Sequence, residues 1–588
     1  MNKLLPLFFI AALVSFILLL PTPTEEQPTS TSLRIKNASW FDGTKWQQSD
    51  LYINEGVIAH PDSAAETIDL TGKFIIPGLI DAHTHIWGDA PQQSLQFGVT
   101  SMVDLFSDSD VKVFDQRIKD IQQAQYADIF SAGILATSQG GHGTQFGVTV
   151  NTVNAPTEAA KFVVEQVDRG AQFIKIVYHH EANYGPFTSI DRATLQALIQ
   201  AAHAHNKLAL VHVSHLEAAK HAVAEGADGL VHMISDQDID EEFIALAKQK
   251  KIFIIPTLAV IAAMNQSHQL TWLEPQLRLY NRLSEAQRQQ LTQTFNVPFA
   301  KQNLLAIAMR NTQRLHQANI PLLAGSDAPN PGTLIGVSLH HELALLQQSG
   351  LSATATLQAA TYGAALELSL PQRGRLHVGD RADLIVLGKD PATNIHHTQS
   401  IEQVMKNGRW IKLQSFNTKA PSIPITEFPI DAAGKVAASD FQFIATSDQM
   451  MSGNSSAALT FIQGKCAQPE ILGVQISGDI KPGFAFPWSG AMLNFSRNFS
   501  ASYDLSDFTS LSFNTAGNVG RYRLLIFSEH QQQPKMITFT VNEQCSKQTI
   551  EFAAHPNVNW EAVQGLAWVA GQEQSQFRLL IDTIKLNP

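Results

Sequence analysis

The sequence predicts an α/β fold: a (β/α)8 TIM barrel with a small β unit on either side of it in the chain, followed by a separate β-sandwich. At 588 residues the chain is too long for one hydrophobic core, so several domains are expected. Between residues 74 and 373, short apolar segments alternate with helical patterns, which is typical of parallel strands joined by crossover helices. Between residues 432 and 588, short alternating strands predominate, which is typical of a jelly-roll-like sandwich.

The N-terminal segment, residues 1–32, has the pattern of an export signal. Lys3 precedes an apolar run from Leu4 to Leu20, and a polar stretch follows. One basic residue and an apolar core of this length favour a secretory signal. Because no small-residue cleavage pattern precedes Pro21, an uncleaved anchor formed by residues 4–20 is the alternative. We expect a periplasmic or extracellular protein that contacts a membrane only through this segment.

Eight apolar segments within residues 74–373 are predicted to be barrel strands, the number that closes a barrel. They are Leu79–His83, Thr100–Leu105, Ile129–Ala136, Phe173–Tyr178, Leu208–Val213, Gly229–Met233, Ile252–Thr257 and Ile320–Gly325. A Gln-rich stretch, residues 265–319, separates the last two and is expected to hold inserted helices. The stretches on either side of the barrel, residues 33–73 and 374–413, have β-like patterns.

The charge and the cysteine content exclude several kinds of site. A net charge of −11 disfavours nucleic acid, whose phosphates require Lys and Arg. The two cysteines, Cys466 and Cys545, lack metal-ligand spacing, so a metal site has to be built from His, Asp, Glu and Lys. In an oxidising compartment these cysteines could form a disulfide, although the sequence alone does not bring them together.

Side chains suited to metal binding lie at the ends of five predicted strands. His83 and His85 are two residues apart and therefore point to the same face of strand one. Lys175 lies within an apolar strand, where its charge is costly unless it is neutralised or used. Taken singly, each residue is compatible with a structural role, but together they lie at the face where barrel active sites occur. The set is His83, His85, Lys175, His212, His232 and Asp327.

In these residues the sequence resembles the amidohydrolase superfamily. The resemblance covers about residues 33–413, and within the superfamily it is most similar to the imidazolonepropionase/prolidase-like group. It implies that residues 33–73 and 374–413 form one small β-sandwich beside the barrel. Further matching segments are Gly140–Gly143, Gly336–Leu343 and Gly379–Leu384.

The resemblance also implies two divalent metal ions, with zinc expected. In such enzymes the lysine corresponding to Lys175 is carboxylated by CO₂ and bridges the ions, which removes its buried positive charge. His83, His85 and Asp327 would hold the more buried ion. His212 and His232 would hold the more exposed one. Without carboxylation, a one-metal site of His83, His85, His232 and Asp327 is the alternative.

The implied chemistry is hydrolysis by an activated water. Bound between the ions, that water would have its pKa lowered from about 15.7 toward about 7. Asp327 would accept its proton and later pass one to the leaving amine. His142 would donate to the developing oxyanion or to a substrate carboxylate.

The segment after strand four departs from this family's pattern. Tyr178, His179, His180 and Glu181 stand where relatives have glycine or small residues. They could supply a further ligand or shape the substrate pocket, and Tyr178 is expected to contact the substrate. An ordinary polar loop is the alternative.

The C-terminal unit, residues 432–588, resembles the sandwich of CIA30 and carbohydrate-binding modules, which would make it galactose-binding-like and a candidate carbohydrate binder. Its tryptophans could line a ligand cleft or belong to the core. These are Trp488, Trp560 and Trp568. The matching segments are Ser452–Ser456, Tyr503–Phe508, Arg521–Leu524 and Phe577–Asp582.

These features predict an exported, metal-dependent hydrolase that cleaves a C–N bond of a peptide-like or cyclic amide small molecule. Esters, lactones and phosphoesters are alternative substrates, since the same activated water attacks all of them. A non-catalytic protein that binds a glycan or another partner through the sandwich is the alternative from a different class. The complete ligand set argues against it.

Overall fold

The computed structural model describes most of the chain, with gaps. The described ranges are 32–62, 65–86, 88–107, 111–144, 150–179, 187–264, 270–295, 303–413, 422–437, 439, 441–448, 455–463, 466, 472–481, 487–495, 502–528 and 534–588. The expected signal or anchor, residues 4–20, lies outside them, as do His180, Glu181 and residues 452–454. Within these ranges, no helix combines the length and the apolarity needed to cross a bilayer.

The chain begins with short strands beside the barrel. Four of them form a sheet of order β5-β4-β1-β6, in which the buried apolar residues of β1, Leu33 and Ile35, alternate with the half-buried Arg34 and Lys36. The strands are β1 (Leu33–Lys36), β2 (Ser39–Phe41), β3 (Trp46–Gln47), β4 (Leu51–Asn54), β5 (Val57–Ala59), β6 (Glu66–Asp69) and β7 (Phe74–Pro77).

The barrel region contributes seven parallel strands and the helices that connect them. The strands are β8 (Leu79–Thr84), β9 (Val99–Asp104), β10 (Asp128–Ser131), β11 (Phe173–Val177), β12 (Leu208–His212), β13 (Gly229–Val231) and β14 (Phe253–Ile255). The helices are α1 (Ala90–Leu95), α2 (Val111–Lys119), α3 (Ala159–Asp168), α4 (Arg192–Ala204), α5 (Leu216–Glu225), α6 (Glu241–Lys250), α7 (Leu258–Met264), α8 (Glu285–Leu291), α9 (Leu304–Gln317), α10 (Val337–Gln348), α11 (Ala353–Ala359) and α12 (Tyr362–Glu367).

Local sequence signals fix several of these helices. The side chains of Asp191 and Asp240 accept backbone N–H bonds at the starts of α4 and α6, so each satisfies a donor that the helix itself cannot pair. Gly226 ends α5 with a φ of 102°, a conformation that favours glycine.

The predicted single closed sheet is not present among the described residues. The strands form two parallel sheets, β8-β9-β10 and β11-β12-β13-β14. Isolated parallel bridges link strand three to strand four through Ala136 and Ile176, and link β14 to the eighth segment through Ile254 and Leu322. The strands are therefore arranged as in a barrel, but the hydrogen bonds between neighbouring strands do not run continuously around it.

The prediction of a regular eighth strand, Ile320–Gly325, was wrong. Pro321, the second residue of this segment, has no N–H to donate to a ladder, and Leu322 forms only an isolated bridge with Ile254. The segment still occupies the strand position, because Leu323 donates its N–H to Ile254 and Ala82 donates its N–H to Ala324. Strand three also stops early, at Ser131, just before Gly133, whose φ is 66°.

The second β stretch returns to pair with the first. It contains β15 (Leu384–Leu387), β16 (Ile401–Lys406) and β17 (Arg409–Trp410). These join β7, β2 and β3 in a six-stranded sheet of order β17-β16-β15-β7-β2-β3. The strand β7, which the sequence assigned to the start of the barrel, thus belongs to the flanking unit, since it pairs with β2 and β15.

A buried ion network ties this flanking unit to the barrel. The carboxylate of Asp128, at the N-terminal end of β10, accepts from Arg373 at 2.7 Å and from the Lys406 ammonium at 2.8 Å. The Lys406 ammonium is also 2.8 Å from Asp383, just before β15. Arg373 and Lys406 are buried, so each charge depends on these partners for the solvation that it has lost.

The C-terminal unit consists of two five-stranded sheets with one apolar cluster between them. Their orders are β18-β21-β26-β23-β24 and β19-β20-β27-β22-β25. Trp568 and Tyr522 from the first sheet and Phe513 and Ile581 from the second belong to this cluster. The strands are β18 (Gln442–Ser447), β19 (Ser456–Gln463), β20 (Leu472–Asp479), β21 (Ser489–Asn494), β22 (Ser510–Gly517), β23 (Gly520–Ser528), β24 (Lys535–Val541), β25 (Ser546–Glu551), β26 (Val563–Ala570) and β27 (Gln576–Asn587).

The two cysteines form a disulfide in this unit. Cys466 follows β19 and Cys545 precedes β25, and a sequence separation of 79 residues lies between them. Of the three tryptophans considered as ligand-binding, Trp568 and Trp560 are buried in the core cluster, which favours the core interpretation for both.

Replacement of Asp128 by Asn should destabilise the barrel strongly. It leaves the buried Arg373 and Lys406 without one carboxylate, and breaking such a pair costs about 3–5 kcal/mol. Urea-induced unfolding followed by fluorescence measures this change. Asp238→Asn is the control, because Asp238 pairs with Arg310 at the surface and its loss should cost less than about 1 kcal/mol. Equal destabilisation by the two variants would contradict the importance of the network.

Reduction of the disulfide should destabilise the C-terminal unit by about 2–4 kcal/mol, because the unfolded chain gains conformational freedom. Thermal unfolding with and without reductant measures this effect. The variant with both Cys466→Ser and Cys545→Ser should unfold at the reduced midpoint under both conditions. A wild-type midpoint that is insensitive to reductant would count against the bond.

Candidate metal centre

Most of the predicted ligand side chains lie at or just after the carboxyl ends of the parallel strands. His83 is the fifth residue of β8, and His85 follows the end of that strand. Lys175 is the middle residue of β11, and His212 is the last residue of β12. His232 directly follows β13. Because parallel strands bring their carboxyl ends to one face, side chains that are distant in sequence meet there.

Three of these residues form a tight cluster. The His85 Nε2 atom lies 3.0 Å from Asp327 Oδ1, and the His83 Nε2 atom lies 3.4 Å from the same oxygen. One ligand atom from each of the three residues can be chosen so that all lie within 4.8 Å of one another. Two imidazole nitrogens and one carboxylate oxygen at these separations are the donor set that a zinc-like ion uses.

The other predicted ligands adjoin this cluster. The His232 ring centroid is 5.0 Å from that of His83 and 4.4 Å from that of His212. The His232 Nδ1 atom lies 3.8 Å from Asp327 Oδ2. The Lys175 ammonium interacts electrostatically with both Asp327 and His83. The structure therefore brings all six predicted ligands into one site.

Burial keeps three of these imidazoles neutral. It lowers the pKa of His232 to about 3, and it lowers the pKa values of His83 and His212 well below 6.5. A neutral imidazole has the free lone pair that metal binding requires. Burial also lowers the pKa of Lys175 to about 7. Burial by itself would raise the pKa of Asp327, but the surrounding histidines have the larger opposite effect, and the pKa of Asp327 is lowered.

Several polar atoms of the site fit a role in metal binding. Among the described residues, both ring nitrogens of His83, the Lys175 Nζ atom and the His212 Nε2 atom are buried without a hydrogen-bond partner. A buried polar atom without a partner costs about 1–3 kcal/mol, so such atoms are rare away from functional sites. Their shared location between imidazole and carboxylate groups fits divalent metal ions bound among them.

Two buried carboxyls bond to segments next to the predicted ligands. The sequence did not single them out. Asp81 accepts the backbone N–H and the hydroxyl of Ser326, which directly precedes Asp327. Asp104 accepts the hydroxyls of Ser107 and Ser131. Burial raises the pKa of Asp81 to about 7. A signal was present for Asp81, because it lies two residues before His83 and so points to the same side of an apolar strand.

The residues expected to contact substrate divide into two groups. His142 lies at the site, with its ring stacked on that of His212 at 5.1 Å. His179 is also there, 5.1 Å from the His212 ring. The Tyr178 hydroxyl instead lies 3.0 Å from the His221 Nδ1 atom on α5. This geometry brings His179 to the site, whereas the substrate contact of Tyr178 stays a prediction without support from it.

Comparisons with known proteins agree with this geometry. Residues 74–411, more than half of the chain, match the model of the amidohydrolase family. The chain is 25% identical over 378 residues to an uncharacterized protein of Mycobacterium tuberculosis (strain ATCC 25618 / H37Rv), covering 61% of this chain and 91% of that relative.

Solved structures show the same fold. A Xaa-Pro dipeptidase with bound methionine in its active site is similar, with a TM-score of 0.53 at 19% identity, over 65% of this chain and 100% of that chain. The ochratoxinase of A. niger is similar as well, with a TM-score of 0.51 at 21% identity, over 65% of this chain and 96% of that chain. At these identities the likeness shows the TIM-barrel type of fold alone.

The family resemblance predicted from the sequence is therefore confirmed. The match over more than half of the chain, together with the cluster of ligand side chains at the strand ends, makes this protein a member of the amidohydrolase family of hydrolases.

Proposed function

We propose that this protein is an exported, metal-dependent hydrolase that cleaves the amide bond of a peptide-like or cyclic amide substrate. The observation that carries the proposal is the meeting of His83, His85 and Asp327 within 4.8 Å, directly beside the predicted second set of ligands. Family membership supports hydrolysis, and the similarity to a Xaa-Pro dipeptidase supports a peptide-like substrate.

Two divalent ions, with zinc as the first candidate, fit the donor set best. His83, His85 and Asp327 would hold one ion, and His212 and His232 would hold the other. Imidazole nitrogen and carboxylate oxygen are ligands that zinc prefers. A single ion bound by His83, His85, His232 and Asp327 remains the alternative.

Lys175 would bridge the ions after reaction with CO₂. Its pKa of about 7 means that much of the amine is neutral near neutral pH, and the neutral amine is the form that attacks CO₂. A new N–C bond forms and the nitrogen loses a proton, which leaves an anionic carbamate. The buried cation is thereby replaced by an anion that two metal ions can share.

The residues of the chain then divide the reaction between them. The bound ions would supply an activated water and polarise the carbonyl of the substrate. Asp327, which stays ionised because its pKa is lowered, accepts the proton of the attacking water and returns one to the leaving amine. The neutral imidazole of His142 donates a hydrogen bond to the developing oxyanion or to a substrate carboxylate.

Export is supported by two features that lie far apart in the chain. The apolar segment 4–20 has the pattern of a signal or anchor. The disulfide between Cys466 and Cys545 is of a kind that persists in oxidising compartments. Carbohydrate binding by the C-terminal unit, and its likeness to CIA30, stay predictions.

Purified protein should contain close to two metal ions per chain, and His83→Ala should lose them together with activity, because His83 is central to the cluster. Metal content by mass spectrometry and hydrolysis of a panel of dipeptides and N-acyl amino acids measure this. His205→Ala, at the exposed end of α4, is the control and should keep both properties. One ion per chain with hydrolysis would favour the one-metal scheme. Wild-type protein without metal after reconstitution would refute the proposal.

Replacement of Asp327 by Asn should lower kcat about 10²–10⁴-fold, because an amide cannot accept the proton of the attacking water. Steady-state kinetics on the substrate found in the panel measures the change, and the KM should change far less than kcat. Metal content has to be measured on the same sample. A variant that keeps both its metal and its kcat would show that Asp327 is not the general base.

A further inference from the structure

A buried glutamate outside the ligand set lies close to the metal centre. Glu342 is on α10, within the segment Gly336–Leu343, and is fully buried. Its Oε2 atom accepts the backbone N–H of Ala259 at 2.8 Å, whereas its Oε1 atom is buried without a hydrogen-bond partner among the described residues. This side chain thus holds the backbone at the start of α7 through one buried hydrogen bond. A carboxyl buried in an apolar region is costly without such bonds.

The turn held by Glu342 contains Thr257, whose hydroxyl contacts a predicted metal ligand. The Thr257 Oγ1 atom lies 2.7 Å from the His232 Nδ1 atom. Thr257 has a φ of 49° and His232 a φ of 72°, both in the left-handed region. A β-branched residue adopts this conformation only where its surroundings hold it there. The bond from Ala259 to Glu342 fixes the backbone two residues after Thr257.

We propose that Glu342 and Thr257 are positioning residues for His232. The Glu342 carboxyl fixes the backbone of residues 257–259, and this backbone places the Thr257 hydroxyl. The hydroxyl then accepts the Nδ1–H of His232, so that Nε2 is the ring nitrogen left for a metal ion. A metal-binding histidine commonly donates its other N–H in this way, which fixes its tautomer and its orientation. The inference rests on the proposed role of His232 as a metal ligand.

The simpler role of Glu342, stabilising the start of α7, makes a different prediction. Thr257→Val removes the hydroxyl at nearly constant volume and leaves the bond from Glu342 to the Ala259 N–H in place, so it tests the contact with His232 directly. Glu342→Ala tests whether that contact depends on Glu342. If Glu342 serves α7 alone, Glu342→Ala should leave His232 unaffected, whereas Thr257→Val should release it. If the chain of contacts runs from Glu342 through Thr257, both variants should release His232.

The test compares four full-length variants with the wild type. Thr257→Val and Glu342→Ala break the chain of contacts. Glu342→Gln should preserve it, because burial raises the pKa of Glu342 to about 8 and the amide resembles the protonated carboxyl. Thr356→Val is the matched control, since Thr356 is equally buried and its hydroxyl has no hydrogen-bond partner among the described residues.

The first measurement is the affinity for Zn²⁺, determined by competition with a chelator. Thr257→Val and Glu342→Ala should weaken it about 10–100-fold, as expected for loss of a group that orients a ligand. Glu342→Gln and Thr356→Val should stay close to the wild type. Equal affinities of Thr257→Val and Thr356→Val would overturn the proposal.

The second measurement needs no metal. The His232 Nδ1–H should give a low-field proton resonance in the metal-free protein, assigned by its absence in His232→Gln. It should vanish in Thr257→Val and remain in Glu342→Gln and Thr356→Val. A resonance that persists in Thr257→Val would overturn the inference. If the proteins show this pattern but the wild type binds no Zn²⁺, the proposed function fails, whereas the orientation of His232 by Thr257 stands.

Discussion

The site depends on one constraint: polar side chains with unused hydrogen-bonding capacity are buried together at the carboxyl ends of parallel strands. Both nitrogens of His83, the Lys175 amine and the His212 Nε2 atom lie there without a hydrogen-bond partner among the described residues. Such an arrangement persists only where the surroundings fix it. Asp81 holds the segment before Asp327, and Asp104 and Glu342 hold neighbouring loops. Each of these buried carboxyls bonds to a segment that adjoins a candidate ligand.

The sequence allowed much of the fold to be predicted, because parallel strands between helices produce a strong apolar pattern. Seven of the eight barrel strands were predicted at the right places. The eighth failed because its apolar run outweighed Pro321, whose missing N–H is visible in the sequence but does not by itself exclude a strand. The pairing of β7 with β15 was also beyond local patterns, since more than 300 residues separate these strands and only tertiary contacts decide their partnership.

The candidate ligands could be predicted from their residue types, even where the ends of the strands were placed inexactly. Histidines and an aspartate at strand ends are visible in the sequence, and the structure gathers all six predicted ligands. The supporting groups were not visible in the same way. In the sequence, Thr257 is only the last residue of a predicted strand. Its φ of 49° and the nearby Glu342 on α10 are visible only in the structure. The direction of Tyr178 toward α5 instead of the site agrees with strand alternation, because Tyr178 is three residues after Lys175 and therefore falls on the opposite side.

The network around Asp128 has a consequence for how the polypeptide is made. Asp128 emerges from the ribosome about 245 residues before Arg373, the nearer of its two cationic partners, and before Lys406. Until those partners have been synthesised, the floor of the barrel would enclose an unpaired negative charge. The nascent barrel therefore cannot reach its final packing while the flanking unit is incomplete, and the two form one cooperative folding unit in spite of their separate sheets. A fragment that ends with α12 would lack both cations, so the smallest fragment that keeps the network extends through β16.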